Sequence, residues 1–449
     1  MRGLIRRHAA VAAAAGAALL AAAAVATAAQ RLPAAPTLLA GAAAVDVLLP
    51  AGTPLAGYGG FPRRALIPDV FGRFPHAFWF RPSVGVHDPI RARSLVLAAG
   101  ATRVALATID LVGVDPALLG RVGEGLRAAG LEYSALIVAA SHTHSGPGAY
   151  ADSALFGVLA VDLLSPPVRD RIVDGLVRAT RQAEAAKGPA RMATGRADVA
   201  GITESRVQGP LDNELGVLKV TTPAGAPVAL VWNYAIHGTA LSRENFLISG
   251  DLMADASLRL ERELGVPALF LNGAVGDVSP RPRGWVGVAT AGRALAAGAM
   301  SAWAAAREDP APRLEVVTER ASLPSPALSV RNCLGAWIPS NVLLGLAAAL
   351  PTSADLIAVA LGDTAWVTIP GELETRLGLD VKEGMRPRFS HVFIAGLAND
   401  YLGYLVTPAS YRRPSYIACG SLYGERGGEI VRDAALAALR RLSRPRGGR

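Results

Sequence analysis

The chain has 449 residues, 51% of them hydrophobic, with a formal net charge of +9 and two cysteines. Alanine carries much of the hydrophobic share, and after the N-terminal stretch no apolar run approaches the roughly 20 residues that span a bilayer, which excludes a polytopic membrane protein. The positive charge is scattered Arg, with Lys only at Lys187, Lys219 and Lys382. Without a basic helix interleaved with aromatics or a nucleic-acid motif, it does not describe a nucleic-acid binder.

Arg2, Arg6 and Arg7 precede an Ala/Leu/Val run over residues 9–29, and Ala26-Thr27-Ala28 is a small-x-small cleavage site. This predicts a secretory signal peptide over 1–29, or an uncleaved anchor of the same span. Either way the body is exported, to the periplasm or the extracellular space. A Pro/Ala linker is expected over 30–41 and one large domain over 42–436. A first strand, 45–49, leads into PLAGYGGF, where Gly57, Gly59 and Gly60 allow an irregular loop. The aromatic, Arg-rich stretch that follows to Arg81 has no clear period and reads as a cover.

Strands after Gly85 and over 104–109, the latter ending on Asp110, precede a helix over 116–130 with a Pro start and a Gly stop. The apolar run 136–140 then stops at Ser141 and delivers His142 and His144 ahead of a Gly-Pro-Gly turn. A basic amphipathic helix is expected over 168–186. Strands follow over 217–220 and 228–236, the second delivering His237. Next come a helix over 254–264, a short buried strand over 268–271, the loop NGAVGDVSP over 272–280 and an Ala-rich helix over 290–306. Residues 342–350 read as a core helix or a buried surface loop. Strands over 356–361 and 365–369 lead to Pro370 and Glu372. A basic tail, 437–449, is expected to be disordered and suits an anionic membrane surface. Cys333 and Cys419 could pair in an oxidising compartment, but their spacing fixes no framework.

The recurring order of strand, polar residue and helix predicts an α/β fold. We expect mixed β-sheets flanked by helices in a single large catalytic domain, with ligands beyond the carboxyl ends of strands. A first-row metal needs several N and O ligands from separate segments; His142 and His237 offer two and Glu372 a third. No HExxH helix is present. His87 reads equally well as a plain hydrogen-bonding residue. Ser279, in GDVSP, sits in a tight turn suited to presenting a hydroxyl, without a GxSxG elbow. The four tyrosines of 397–416 either cap a pocket rim or polarise a carbonyl.

PLAGYG at Pro54, GVHDPIRARSLV at Gly85, HTHSGPG at His142, NYAIHGT at Asn233, ISGD at Ile248, NGAVGDVSP at Asn272, PGE at Pro370 and NDYLGYLVTPASY at Asn399 occur in this order. In this the chain resembles the neutral, non-lysosomal ceramidases, zinc amidases that split ceramide into sphingosine and fatty acid. The resemblance implies one Zn2+ per chain on His142, His237, Glu372 and Tyr404. It implies His144 beside the scissile amide, Ser279 as nucleophile or substrate-orienting hydroxyl, and Tyr416 near the carbonyl oxygen. The implied partner is a lipid, ceramide or another N-acyl lipid.

Two departures bear on the substrate. An Asn-Arg-Ser-Pro stretch of the family corresponds here to Ser205-Arg206-Val207-Gln208, and no C-terminal immunoglobulin-like domain is expected after SLYGE at Ser421. A hydrolase of the same fold acting on another N-acyl or ester substrate is therefore an alternative, as is a non-catalytic lipid-binding envelope protein. The joint presence of His142, His237, Glu372 and Ser279 argues against the latter. For a lipid chain, candidate walls are the aromatic residues 74–80 and the region 337–350.

Overall fold

The computed structural model describes residues 37–309 and 312–443. The expected leader over 1–29 and the last six residues of the expected tail lie outside the described residues. Three sheets hold the apolar runs. The first comprises β1 (Leu39–Val47), β2 (Ile90–Ala99), β3 (Thr102–Ile109), β4 (Ala135–Ala140) and the short β5 (Gly188–Pro189), in the order β4-β3-β2-β1-β5. The second comprises β6 (Arg191–Asp198), β7 (Glu214–Thr221), β8 (Pro227–Tyr234), β9 (Ala268–Asn272) and β10 (Arg307–Asp309), in the order β9-β8-β7-β6-β10. The third runs in chain order: β11 (Leu314–Ser322), β12 (Ser353–Leu361), β13 (Thr364–Ile369) and β14 (His391–Gly396).

Alternation within these runs decides how the sheets stack. In β3, Val104 and Leu106 enter one core while Ala107 and Ile109 enter another; β8 divides Ala229 and Val231 from Leu230, Trp232 and Tyr234; β13 divides Trp366 from Ala365, Val367 and Ile369. Strands apolar on both faces must be covered on both. The inner faces of all three sheets meet in one core, where Leu106 and Ile137 join Val231 and Leu269 and also Val359, Trp366 and Phe393. Six helices cover the outer faces. They are α1 (Pro116–Ala128) and α2 (Pro166–Ala185) on the first sheet, α3 (Asp251–Leu264) and α4 (Gly284–Ala305) on the second, and α5 (Thr375–Met385) and α6 (Gly427–Arg441) on the third. The expectation of mixed sheets flanked by helices in one domain holds.

Three expectations are corrected. The strand β1 begins inside the expected linker, because Ala40 and Val45 are buried and the whole segment pairs in register with β2. Helix α6 runs to Arg441, inside the expected tail, because Val431, Ala435, Ala438 and Leu439 form a buried stripe at helical spacing. Residues 342–350 are neither a core helix nor buried: Leu343–Gly345 pairs with Ala327–Ser329 in a surface hairpin, and Leu343 and Leu344 are exposed. Among the described residues no helix is long and apolar enough to cross a membrane.

Each sheet contains one parallel pair: β3 with β4, β8 with β9, β13 with β14. The carboxyl ends of these three pairs are stitched together by side-chain amides. Asn272, ending β9, donates to the carbonyls of Ser141 and Ile236, each at 2.9 Å. Asn233 donates to Leu271 and Ile394 and so ties the second sheet to the third. Asn399, after β14, accepts from Val138 N at 2.8 Å and donates to the Leu136 carbonyl, covering the open edge of β4.

Candidate active site

Six strand ends now converge. Val112 follows β3, His142 follows β4, His237 follows β8, Asn272 ends β9, Glu372 follows β13 and Tyr401 follows β14. This is the crevice where α/β sheets collect ligands. His142 takes a left-handed backbone, φ 71°, in which its N–H reaches the Leu111 carbonyl at 2.8 Å. Its Nδ1 donates to the Val112 carbonyl at 2.6 Å, which leaves Nε2 with a lone pair. Thr143 and Gly238 form a parallel bridge that draws the His237 loop alongside; a Cβ on Gly238 would stand 2.5 Å from the His142 carbonyl. Gly276 is equally constrained, since a Cβ there would stand 2.5 Å from the Glu372 carbonyl.

His142, His237 and Glu372 are all buried. The two Nε2 atoms are 3.0 Å apart, and Glu372 Oε2 lies 3.4 Å from His142 Nε2 and 3.1 Å from His237 Nε2. Arg206 Nη1, which can only donate, faces His237 Nε2 at 3.2 Å. Glu372 Oε2 is buried without a hydrogen-bond donor. Burial, then the Arg206 charge, pulls the His237 imidazole down to about 3, and burial with its two neighbours puts His144 well below the ordinary value. Burial pushes the Glu372 carboxyl up, but the facing imidazoles outweigh it and hold the group well below its ordinary value.

Two imidazole nitrogens and a carboxylate oxygen thus crowd one buried space, a set of donor atoms that a cation between them satisfies together. At zinc bond lengths and tetrahedral angles, ligand atoms stand roughly 3.3 Å apart, and the three separations bracket that value. The residues present therefore fit a divalent metal. The third imidazole, His144, is close as well: its Nε2 is 3.4 Å from His142 Nε2, and the three His side chains alone form a possible metal-holding group. Glu372 is the better third ligand because it is the more deeply buried of the two and its Oε2 lies within 3.4 Å of both imidazole nitrogens.

The remaining candidates gather around this centre. Arg206 Nε donates to Ser279 Oγ at 2.7 Å, and its Nη1 also contacts the Tyr416 hydroxyl. Tyr416 leads a short helix, Tyr416–Cys419, anchored by the disulfide between Cys419 and Cys333. Tyr404 stands in register with Glu372, and its ring meets that of Tyr416 edge-on at 5.7 Å. The hydroxyl on the Glu372 carboxylate belongs to Tyr401, which donates to Oε1 at 2.6 Å. Nothing in the spacing of the four tyrosines separates Tyr401 from Tyr404 as the one that meets the carboxylate. His87 lies apart, stacked on Trp285 at 3.9 Å and hydrogen-bonded to Asp88.

On the His144 side, Arg63 donates to the His144 carbonyl at 3.1 Å and faces the Phe246 ring at 5.9 Å. Phe246, with Ile67, Phe74, Phe78, Phe80 and Val84, lines a cleft of about 370 Å³. The backbone of that aromatic segment is pinned by Asp162, whose carboxylate accepts from the N–H groups of Phe78, Trp79 and Phe80.

Residues 77–292 match the family model described as neutral/alkaline non-lysosomal ceramidase, N-terminal. That span holds His142, His144, Arg206, His237 and Ser279. The chain is 29% identical over 174 residues to neutral ceramidase A of Dictyostelium discoideum, covering 33% of this chain and 24% of that protein. It is 27% identical over 220 residues to neutral ceramidase of Pseudomonas aeruginosa, covering 44% and 33% respectively. The matched stretches thus span about a quarter to a third of these relatives. The crystal structure of neutral ceramidase from Pseudomonas aeruginosa superimposes with a TM-score of 0.77 at 19% identity, covering 92% of this chain and 76% of that one, a likeness of fold.

Proposed function

Because the chain belongs to the neutral/alkaline non-lysosomal ceramidase family, we propose that it is a zinc-dependent amide hydrolase. Its substrate is ceramide or a similar N-acyl lipid, and its products are a fatty acid and a sphingoid or related amine. The observation that carries the reading is the convergence of His142 Nε2, His237 Nε2 and Glu372 Oε2 beside the Arg206, Ser279 and Tyr416 cluster. Zinc held by His142, His237 and Glu372, with Tyr404 as the fourth candidate, supplies Lewis acidity and brings the pKa of water to roughly 7.

The chain's own residues divide the rest of the work. Tyr416 and Arg206 offer hydrogens toward an oxygen that gains negative charge as the amide carbonyl is attacked. His144, kept neutral by burial, accepts a proton from the attacking water and passes it to the leaving nitrogen. Among the described residues, the hydrogen-bond partner of Ser279 Oγ is Arg206, a donor, and no imidazole or carboxylate is hydrogen-bonded to it. A serine without a base is poorly activated, so Ser279 orients the substrate. The cleft at Phe74, Phe78 and Phe246 suits one acyl or alkyl chain. Export fits the Cys333–Cys419 disulfide, which belongs to an oxidising compartment.

Fatty-acid release measured across ceramides, N-acyl amino acids and esters, before and after chelation, tests the reading. Chelator-sensitive release from ceramide supports it, and no release from any amide contradicts it.

A further inference from the structure

We infer that Tyr401 is a positioning residue for the metal centre, holding the Glu372 carboxylate so that Oε2 points at the two imidazoles; this rests on the metal reading above. Oε1 and Oε2 of Glu372 are in different surroundings. Oε1 accepts the Tyr401 hydroxyl at 2.6 Å, while Oε2 has no donor and lies 3.1 Å from His237 Nε2. A carboxylate has no hydrogen to give, so the phenol is the donor and the bond is charge-assisted, among the stronger hydrogen bonds in proteins. It fixes which oxygen turns to the imidazoles.

The ring that delivers the hydroxyl is itself held. Tyr401 stacks on Phe156 with centroids 4.7 Å apart and planes 25° apart. On its edge lies Gly113, where a Cβ would come within 3.1 Å of Tyr401 Cδ2. Gly113 is in turn fixed by Tyr150, whose hydroxyl donates to the Gly113 carbonyl at 2.6 Å. The phenol is thus wedged between the segment after β3, which also supplies the Val112 carbonyl to His142, and the short helix Ala154–Phe156. One wall orients both a histidine and a carboxylate. Groups that orient metal ligands in this way are typically worth roughly 10- to 100-fold in metal affinity.

The test is Tyr401→Phe, which keeps the ring, its stacking partner and its volume and removes only the hydroxyl. Zinc dissociation constants are measured by competition with a chromophoric chelator for wild type and variant, with melting temperatures of the metal-free and zinc-loaded forms. The expected result is zinc binding weaker by roughly 10- to 100-fold, with N-acyl hydrolysis partly restored at saturating zinc. A tyrosine with only a structural role would lower the melting temperature of both forms equally and leave the dissociation constant within twofold of wild type, and that result overturns the inference. A wild type that takes up no zinc overturns the metal assignment itself, and this role with it.

Discussion

His142 and His237 stand 95 residues apart in sequence, and their Nε2 atoms face each other at 3.0 Å. Neither is placed by its own strand alone. The Asn272 side chain donates to the carbonyl before His142, at Ser141, and to the carbonyl before His237, at Ile236, and accepts from Ile236 N at 3.2 Å. Replacing Asn272 with Ala strands two buried carbonyls and an N–H, at roughly 1–3 kcal/mol each. The expected outcome is a loss of about 3 kcal/mol or more in urea unfolding, accompanied by weaker zinc binding. Normal zinc affinity in a destabilised variant would show that the amide only supports the fold.

Ser279→Ala distinguishes orientation from nucleophilic attack. With Arg206 as its partner, Ser279 should contribute roughly as one hydrogen-bonding group near the reacting carbonyl, so turnover is expected to fall by roughly 100-fold without vanishing. No acylated protein should accumulate in wild type on mass spectrometry during turnover. A trapped acyl group on Ser279 would reverse this assignment.

Cys333 and Cys419 close a loop across 86 residues and tie the helix bearing Tyr416 to the helix Val330–Leu334. The paired change Cys333→Ser with Cys419→Ser is expected to cost about 2–4 kcal/mol in urea unfolding. Turnover should fall as well, because Tyr416 loses its anchor to the hairpin side. Unchanged unfolding would remove the bond from the account of stability.

Much of this was legible in the sequence because the site residues end apolar runs. His142, His237 and Glu372 each follow a strand whose alternating faces are both buried, so the change to a polar residue marks the strand end. Tyr401 was not legible as the donor to Glu372: it acts on a group 29 residues away, through a ring held by Phe156 and Gly113, neither of which carries a sequence signal. The strand expected over 45–49 begins earlier, at Leu39, because the Ala-rich start of LAGAAAVDV has linker-like composition and pairing with β2 overrides that. Residues 342–350 misled for the opposite reason. Hydropathy says that Leu343 and Leu344 are apolar, not that a neighbouring segment covers them, and they are exposed.

Asp251 opens α3 with a left-handed backbone, φ 58°, and is buried. Burial raises its carboxyl to about 7, opposed by the N–H groups of Leu241 and Leu252 and reinforced by Asp88. A carboxyl with a raised folded-state pKa binds more protons folded than unfolded. Its effect on stability is therefore most favourable near pH 4 and is lost as pH rises through about 7. Asp400, raised to about 6 by burial, acts with the same sign. The urea midpoint of Asp251→Asn relative to wild type is expected to rise as pH goes from 4.5 to 8, because the variant lacks the carboxyl whose contribution is lost over that range. Equal slopes would assign the trend elsewhere.

The proposed chemistry requires that His142, His237 and Glu372 share one divalent ion. Metal content of the purified chain, measured by mass spectrometry together with ceramide turnover before chelation, after chelation and after zinc is restored, tests it most directly. One zinc per chain is expected, with turnover lost on chelation and regained with zinc, and little bound zinc in Glu372→Gln. A wild-type chain without zinc, or turnover indifferent to chelation, would contradict it.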